Sequence, residues 1–269
     1  MEGRGLIFLK AVVLCLTFLS GCYRPVEGPV ITDWTQAQPA VHTIVVGRSL
    51  ERRPIECVVL GTGHDVTVIV AAIHGDEPAA VPIVRRLAAH LQENPQLLQG
   101  RRAVLVPVAN PDGLMQSSRL NARGVDLNRN FPSSNRTNDP THGQRPLSEP
   151  EARIIRQLIR QYHANRIISM HQLTDTGPEA LTHRVPKGCI DYDGPGKVLA
   201  EKMAQHCDLP VEKLGAAPGS LGSYAGEDLG IPCITVELSL GAELLGSNTL
   251  WDRYGAALVA AVMYPEDPQ

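Results

Sequence analysis

Apolar residues along this chain fall into short runs of two kinds. Runs rich in Val and Ile and bounded by Gly, Pro or Asn occur at Thr43–Val46, Glu56–Leu60, Val66–Ile73, Ala103–Val108, Arg166–Met170 and Cys233–Leu238, and they predict strands. Between them the spacing becomes helical. Val81, Val84, Leu87, Ala88 and Leu91 form one stripe, predicting a helix over Pro78–His90 with the proline in its opening turn. Ile154, Ile155, Leu158, Ile159 and Tyr162 form another, in a helix whose start, Ser148-Glu149-Pro150-Glu151, reads as a capping box. Further helices are expected over Lys197–His206 and in a last segment ending near Met263. Ser133–Leu147, Gln172–Pro195 and the Gly-rich Gly215–Gly222 read as loops. Strands alternating with helices, some strands apolar throughout, predict an α/β fold with a sheet covered on both faces.

Ahead of these elements, Arg4 and Lys10 flank an apolar stretch, Ala11–Leu19, too short to span a bilayer, which ends at Leu19-Ser20-Gly21-Cys22. That ending resembles a bacterial lipobox. The resemblance implies a lipoprotein signal peptide over residues 1–21, a lipid anchor at Cys22, and a mature chain exported to the periplasm or the cell exterior. A single acyl chain binds a membrane only marginally, so stable attachment needs full modification of Cys22. Residues 22–40 are Pro-rich and aperiodic and suit a tether, leaving one domain over residues 41–269.

Composition narrows the function. The 269 residues are 43% hydrophobic with a formal net charge of −3 and 4% aromatics, enough for a large core but without the basic field or stacking platforms that nucleic acid requires. Outside the leader the cysteines are Cys57, Cys189, Cys207 and Cys233, with no C-x-x-C pair, so a structural zinc knot is not expected. Cys57 and Cys233 sit in strand-like runs and read as core; an oxidising compartment permits one disulfide, for instance Cys189 to Cys207, which sequence alone does not assign.

In α/β sheets, chemistry gathers where strands end. His74 and Glu77 follow the run Val66–Ile73, His171 follows Arg166–Met170, and Glu237 ends Cys233–Val236. A His or Glu delivered by an apolar strand needs a partner, because burying it alone is costly. H-x-x-E by itself is weak, since His90 and Glu93 repeat it at a helix end. Together with His171, the first pair makes two imidazoles and one carboxylate with a fourth position open, the ligand pattern of a catalytic rather than a structural zinc.

Further along stand Asn110-Pro111-Asp112-Gly113 and then Arg119-Leu120-Asn121-Ala122-Arg123-Gly124-Val125-Asp126-Leu127-Asn128-Arg129-Asn130-Phe131-Pro132. With H-x-x-E before them and a strand-final His and Glu after them, in that order, the chain resembles the zinc metallocarboxypeptidase family over about Val66 to Leu238. The resemblance implies a single domain with a mixed, mostly parallel sheet. It implies one zinc ion per chain on His74, Glu77 and His171, and Glu237 as general base and acid. It further implies that Arg119 stabilises the oxyanion while Asn128 and Arg129 hold the carboxylate of the released residue. Arg123 lies close by, but Arg119 has the family spacing to Asn128; Glu243 is the rival base. These roles are physically coherent: a guanidinium fork pairs two-point with a carboxylate, and a carboxylate beside a metal can take and return a proton.

One feature departs from the digestive carboxypeptidases. Their substrate-contacting tyrosine has no counterpart at the expected distance before the base, where the loop offers only Tyr224. The stretches Ala217–Tyr224, Cys189–Gly194 and Ser148–Glu151 instead resemble the murein peptide amidase branch, which cuts between γ-D-glutamate and diaminopimelate in cell-wall peptides. Asp191, Asp193 and Ser220 are then candidate contacts for the extra amino-acid head group of the leaving residue. Alternatives are a conventional carboxypeptidase on L-peptides, an N-acyl amino acid deacylase, which the intact D-L-N-R-N-F-P stretch opposes, and a non-catalytic lipoprotein that binds wall peptides.

Overall fold

The computed structural model describes residues 42–175 and 187–265. The proposed leader, the tether and Cys22 lie outside the described residues. Eight strands form one sheet in the order β1-β2-β4-β3-β5-β8-β6-β7. They are β1 (His42–Arg48), β2 (Pro54–Leu60), β3 (Asp65–Ala71), β4 (Arg101–Val106), β5 (Arg166–Gln172), β6 (Cys189–Asp193), β7 (Val211–Glu212) and β8 (Cys233–Leu238). β4, β3, β5 and β8 run parallel, and antiparallel pairs β1–β2, β2–β4 and β8–β6 flank them. The sheet is therefore mixed with a parallel centre, as expected.

β3 shows why its run is apolar but for Thr67, whose buried hydroxyl accepts from Arg166 Nη1 at 2.7 Å. Ile69 and Ala71 join the core under helices α1 (Ala80–Glu93), α4 (Lys197–Ala204) and α5 (Ser247–Met263), while Val66, Val68 and Val70 join the core under α3 (Pro150–Gln161). A strand covered on both faces has no polar side to show. The stripe of α3, Ile154, Ile155, Leu158 and Ile159, packs into that second core beside Phe131. Among the described residues, no helix is long and apolar enough to cross a membrane.

Four expectations are corrected. α1 begins at Ala80 rather than Pro78; Pro78 sits in the preceding turn, where its carbonyl accepts from Val81 N–H at 3.1 Å. Ser148 does not cap α3: Glu149 is the N-cap residue, without a side-chain cap bond, and Glu149 and Glu151 both turn inward and are fully buried. The stretch Gln172–Pro195 is not all loop, because β6 lies within it, and the Gly-rich loop runs into a wide helical turn at Gly222–Asp228. None of the four described cysteines is in a disulfide; Cys189 is inside the sheet and Cys207 bonds to Met203 O, so no Cys189–Cys207 bridge forms. Cys57 and Cys233 are core, as read from sequence.

Candidate active site

The carboxyl ends of β3, β5 and β8 meet at one cleft. His74 leaves β3 in a tight turn. Gly75 lets that turn touch the Asn110–Gly113 turn: a Cβ at Gly75 would lie 1.9 Å from the Gly113 carbonyl carbon. Asn110 N–H donates to Ala72 O at 2.9 Å, and its side chain caps α2 (Pro111–Gln116) by accepting from Gly113 N–H. Asn-Pro-Asp-Gly is thus the seat of the His74 turn. Its Asp112 is buried, facing Ser49 and Arg53.

His171 and Glu237 are opposite one another in the parallel register of β5 and β8, so both side chains stand at one level of the sheet. Glu77 lies between the two imidazoles, with Oε1 2.6 Å from His74 Nδ1 and Oε2 2.8 Å from His171 Nδ1. The three groups are buried, and their ligand atoms all lie within 4.8 Å of one another. Each imidazole is also engaged from behind: His74 Nε2 is 3.1 Å from Asp126 Oδ1, and His171 Nε2 is 3.0 Å from Ser169 Oγ. An oriented imidazole with a carboxylate at its far nitrogen is the arrangement that makes a good metal ligand. Two nitrogens and a carboxylate so placed fit a zinc ion. Zinc held there by His74, Glu77 and His171 would supply Lewis acidity toward a carbonyl oxygen and toward water.

Electrostatics agree with the crowding. Burial alone would lower the His74 pKa, but the carboxylates of Glu77 and Asp126 outweigh it and raise it to about 9. Against their own burial, the imidazoles hold Glu77, and His74 with Arg119 and Arg129 holds Asp126, well below the usual carboxylate range. Glu237 moves the other way: burial, with Glu77 as a like-charged neighbour, pushes its carboxyl up. A carboxyl held above its usual range is suited to accept and return a proton.

Arg119 reaches into this group from the side, with Nη1 3.3 Å from Glu77 Oε1 and Nε donating to Asp126 Oδ2 at 3.1 Å. Arg123 instead is exposed and pairs with Glu149 outside the cleft. Asn128 Oδ1 accepts from Leu221 N–H at 2.9 Å, which ties this loop to the opposite wall, and Arg129 lies beside it. Burial and the nearby Arg119 lower the Arg129 pKa against the opposing charge of Asp126, and the planar guanidinium suits two-point binding of a carboxylate. Across β8 from His171, Asp191 and Asp193 project from β6 on the cleft side. Asp193 pairs with Lys213 at 3.0 Å, whereas Asp191 Oδ1 accepts from Leu214 N–H at 2.8 Å and burial raises its pKa to about 6. Ser220 lines the same cleft, its Oγ accepting from Ser223 N–H.

The ten residues given catalytic, metal or substrate roles from sequence inside the domain therefore border one cleft. Residues 30–176, more than half of the chain, match the model of the family described as zinc carboxypeptidase. The chain belongs to the zinc carboxypeptidase family. It is a peptide hydrolase. Like other zinc carboxypeptidases it has curated relatives: it is 36% identical to murein peptide amidase A of Escherichia coli K12 over 188 residues, 63% of this chain and 69% of that one. With murein peptide amidase A of Vibrio campbellii it shares 28% over 193 residues, 64% and 68% of the two chains. Among solved structures, murein-tripeptide amidase from Escherichia coli O157 aligns with a TM-score of 0.60 and 28% identity over 84% of this chain and 93% of that one. Bovine thrombin-activatable fibrinolysis inhibitor shares the fold, with a TM-score of 0.65 and 20% identity over 82% and 88%.

Two site residues escaped the sequence reading. Asp126 stood inside the Asp-Leu-Asn-Arg motif without a role, yet it touches both His74 and Arg119. Ser169, two residues before His171 on the same face of β5, gave no signal beyond being polar in an apolar run. Tyr224 is buried against Phe131, with ring centroids 6.0 Å apart, and belongs to the core.

Proposed function

We propose that this zinc carboxypeptidase, with one zinc ion per chain on His74, Glu77 and His171, hydrolyses the bond between γ-D-glutamate and diaminopimelate in murein peptides. The observation that carries the reading is the presence in one cleft of Arg129 and Asn128, which suit a carboxylate, and of the buried acid Asp191 on β6, across β8 from His171. A leaving residue with one carboxylate beside the scissile amide and a distant ammonium satisfies both. The resemblance to enzymes named for murein peptides points the same way.

In the reaction Arg129 and Asn128 hold the free carboxylate of the released residue and set the register of the cleaved bond. Arg119 faces the scissile carbonyl, where its charge stabilises the oxyanion; loss of one such donor typically costs about 10²–10³ in rate. Glu237 takes a proton from the attacking water and gives it to the leaving amine. Asp191 receives the distant ammonium, and Ser220 borders the same head group. We also propose that the enzyme is exported and membrane-anchored through a lipid on Cys22, a reading supported by Leu19-Ser20-Gly21-Cys22 and tested by loss of palmitate labelling in Cys22→Ala.

The deciding experiment offers L-Ala-γ-D-Glu-diaminopimelate and an α-linked L-peptide of similar length to the zinc-loaded protein, with Glu237→Gln as control. Release of diaminopimelate by the wild type alone supports the reading. Cleavage of only the L-peptide would overturn the substrate, and cleavage by Glu237→Gln would overturn the role of the base.

A further inference from the structure

The segment that carries Arg119, Asp126, Asn128 and Arg129 is tied to the opposite wall through Leu221 N–H and to Thr141 O through Asp126 N–H, and two further anchors belong to the start of α3. At the first, Asn121 Nδ2 donates to Glu149 Oε2 at 2.8 Å and to Glu151 Oε2 at 3.4 Å. The Oδ1 of the same carboxamide accepts the N–H groups of Arg123 and Val125 at 3.0 and 3.1 Å. The backbone closes around it, with Asn121 N–H donating to Val125 O and Gly124 N–H to Asn121 O, both at 2.9 Å. At the second point Glu149 N–H donates to Asn130 Oδ1 at 3.1 Å, and Asn130 Nδ2 donates to Ser148 Oγ at 3.0 Å.

None of Asn121, Glu149 and Glu151 borders the cleft, and all three are buried. Two neighbouring buried carboxylates are a costly way to begin a helix, which a serine cap and an apolar residue would do at less expense in desolvation. Their cost falls where their acceptors are used: every hydrogen-bonding atom of the Asn121 carboxamide is engaged, so the turn from 121 to 125 has one arrangement. Arg119 lies just before that turn and Asp126 just after it, and the two meet at 3.1 Å across it.

We infer that Asn121, gripped by Glu149 and Glu151, is a positioning residue of the reaction: it fixes the turn so that Arg119 and Asp126 are aimed at Glu77 and His74. The inference rests on the hydrolase reading of the cleft. It also explains why both glutamates turn inward instead of capping α3.

The test exchanges donor for acceptor. Asn121→Asp sets an oxygen against both glutamates, whereas the triple variant Asn121→Asp, Glu149→Gln, Glu151→Gln restores the donors in the same shape, since each new carboxamide can donate to the new carboxylate while Glu149 and Glu151 positions keep their acceptors for Arg123 and Leu50 N–H. Full-length, zinc-loaded protein is measured for amide hydrogen exchange at Arg123 and Val125, for the Arg119 Nε–H resonance, for Tm, and for kcat and KM on L-Ala-γ-D-Glu-diaminopimelate and on an α-linked L-peptide. In Asn121→Asp, exchange at the two amides should quicken at least about tenfold, the Arg119 resonance should move, and kcat/KM should fall on the order of 100-fold, the scale of a misplacement of about 1 Å. The triple variant should recover all three. Asn121→Ser, which removes the donor without adding charge, serves in its place if the aspartate variant does not fold. Unchanged exchange and an unmoved Arg119 resonance would overturn the inference, as would a triple variant no better than the single one. A lowered Tm with unchanged kcat and KM would reduce Asn121 to a scaffold residue. If the wild type cleaves neither peptide, the substrate reading fails, while the exchange and resonance still decide whether the turn is held this way.

Discussion

Replacing Asp126 by Asn separates two effects that this one carboxylate joins. Its Oδ1 meets His74 Nε2 at 3.1 Å and Asn128 N–H at 2.9 Å, and its Oδ2 accepts from Arg119 Nε at 3.1 Å. In Asp126→Asn the remaining oxygen can stay with His74 and Asn128, so the new NH₂ must face the Arg119 guanidinium. One charge-assisted hydrogen bond is lost, about 1.5–3 kcal/mol, and two donors oppose each other in its place. At about 1.4 kcal/mol per decade the Arg119 contribution alone predicts a fall of at least tenfold to 100-fold in kcat/KM. The weakened contact behind His74 predicts a separate drop in zinc affinity of about 10- to 100-fold. Competition with a chromophoric chelator measures the second effect, and kcat/KM at saturating zinc measures the first, since excess zinc restores the metal and leaves Arg119 misplaced. A variant within about threefold of wild type at saturating zinc would refute the Arg119 argument. Unchanged zinc affinity would refute the His74 one.

Two further outcomes follow from burial and from backbone contact. Burial raises the Asp191 pKa from 3.8 to about 6, so the folded state binds that proton more tightly than the unfolded chain, and the ionised group costs stability above about pH 6 that is regained as pH falls toward 4. Asp191→Asn should therefore raise Tm at pH 8, by the equivalent of about 1–2 kcal/mol after discounting for water in the cleft, and should not at pH 4; an equal shift at both values would show that the carboxylate is not desolvated. Gly75→Ala places a methyl 1.9 Å from the Gly113 carbonyl carbon, backbone against backbone, and should lower stability by about 3 kcal/mol or more while reducing zinc occupancy; a Tm within a degree or two of wild type would show that the two turns can part freely.

The parallel centre of the fold was legible because a doubly covered strand must be largely apolar, and β3, β5 and β8 advertise that requirement with only isolated polar residues. Their terminal polar groups were legible for the same reason, since His74, His171 and Glu237 interrupt runs that otherwise tolerate no charge. β6 was illegible because Asp191 and Asp193 alternate with Ile190 and Tyr192 between two glycines, a pattern that turns and half-buried strands share. Gly222 misled in a similar way. It suggests a loose loop, whereas a Cβ there would collide with the Asp193 side chain, at 2.0 Å from Oδ2, and one at Gly226 further along would lie 2.5 Å from the Asp193 Cβ, so both make room for an acid rather than for motion. The inward glutamates of α3 could not be foreseen, since Ser-x-x-Glu has the same letters whether it caps a helix or anchors a distant loop.

The pairing of His171 with Glu237 has a consequence for how this scaffold can change over time. Ser169 and His171 on β5, Thr235 and Glu237 on β8, and Asp191 and Asp193 on β6 all present one face of three adjoining strands to the cleft. Because a strand alternates sides at every residue, deleting a single residue between Cys233 and Glu237 would bring Leu238 into the place of the proton carrier and turn the carboxylate toward the opposite core. The chemistry is thus indexed by counting along hydrogen-bonded ladders, which tolerate no change in length. The segments that join those ladders are under no such count, so new leaving groups can be accommodated by lengthening connections while the reactive trio of strands stays the same to the residue.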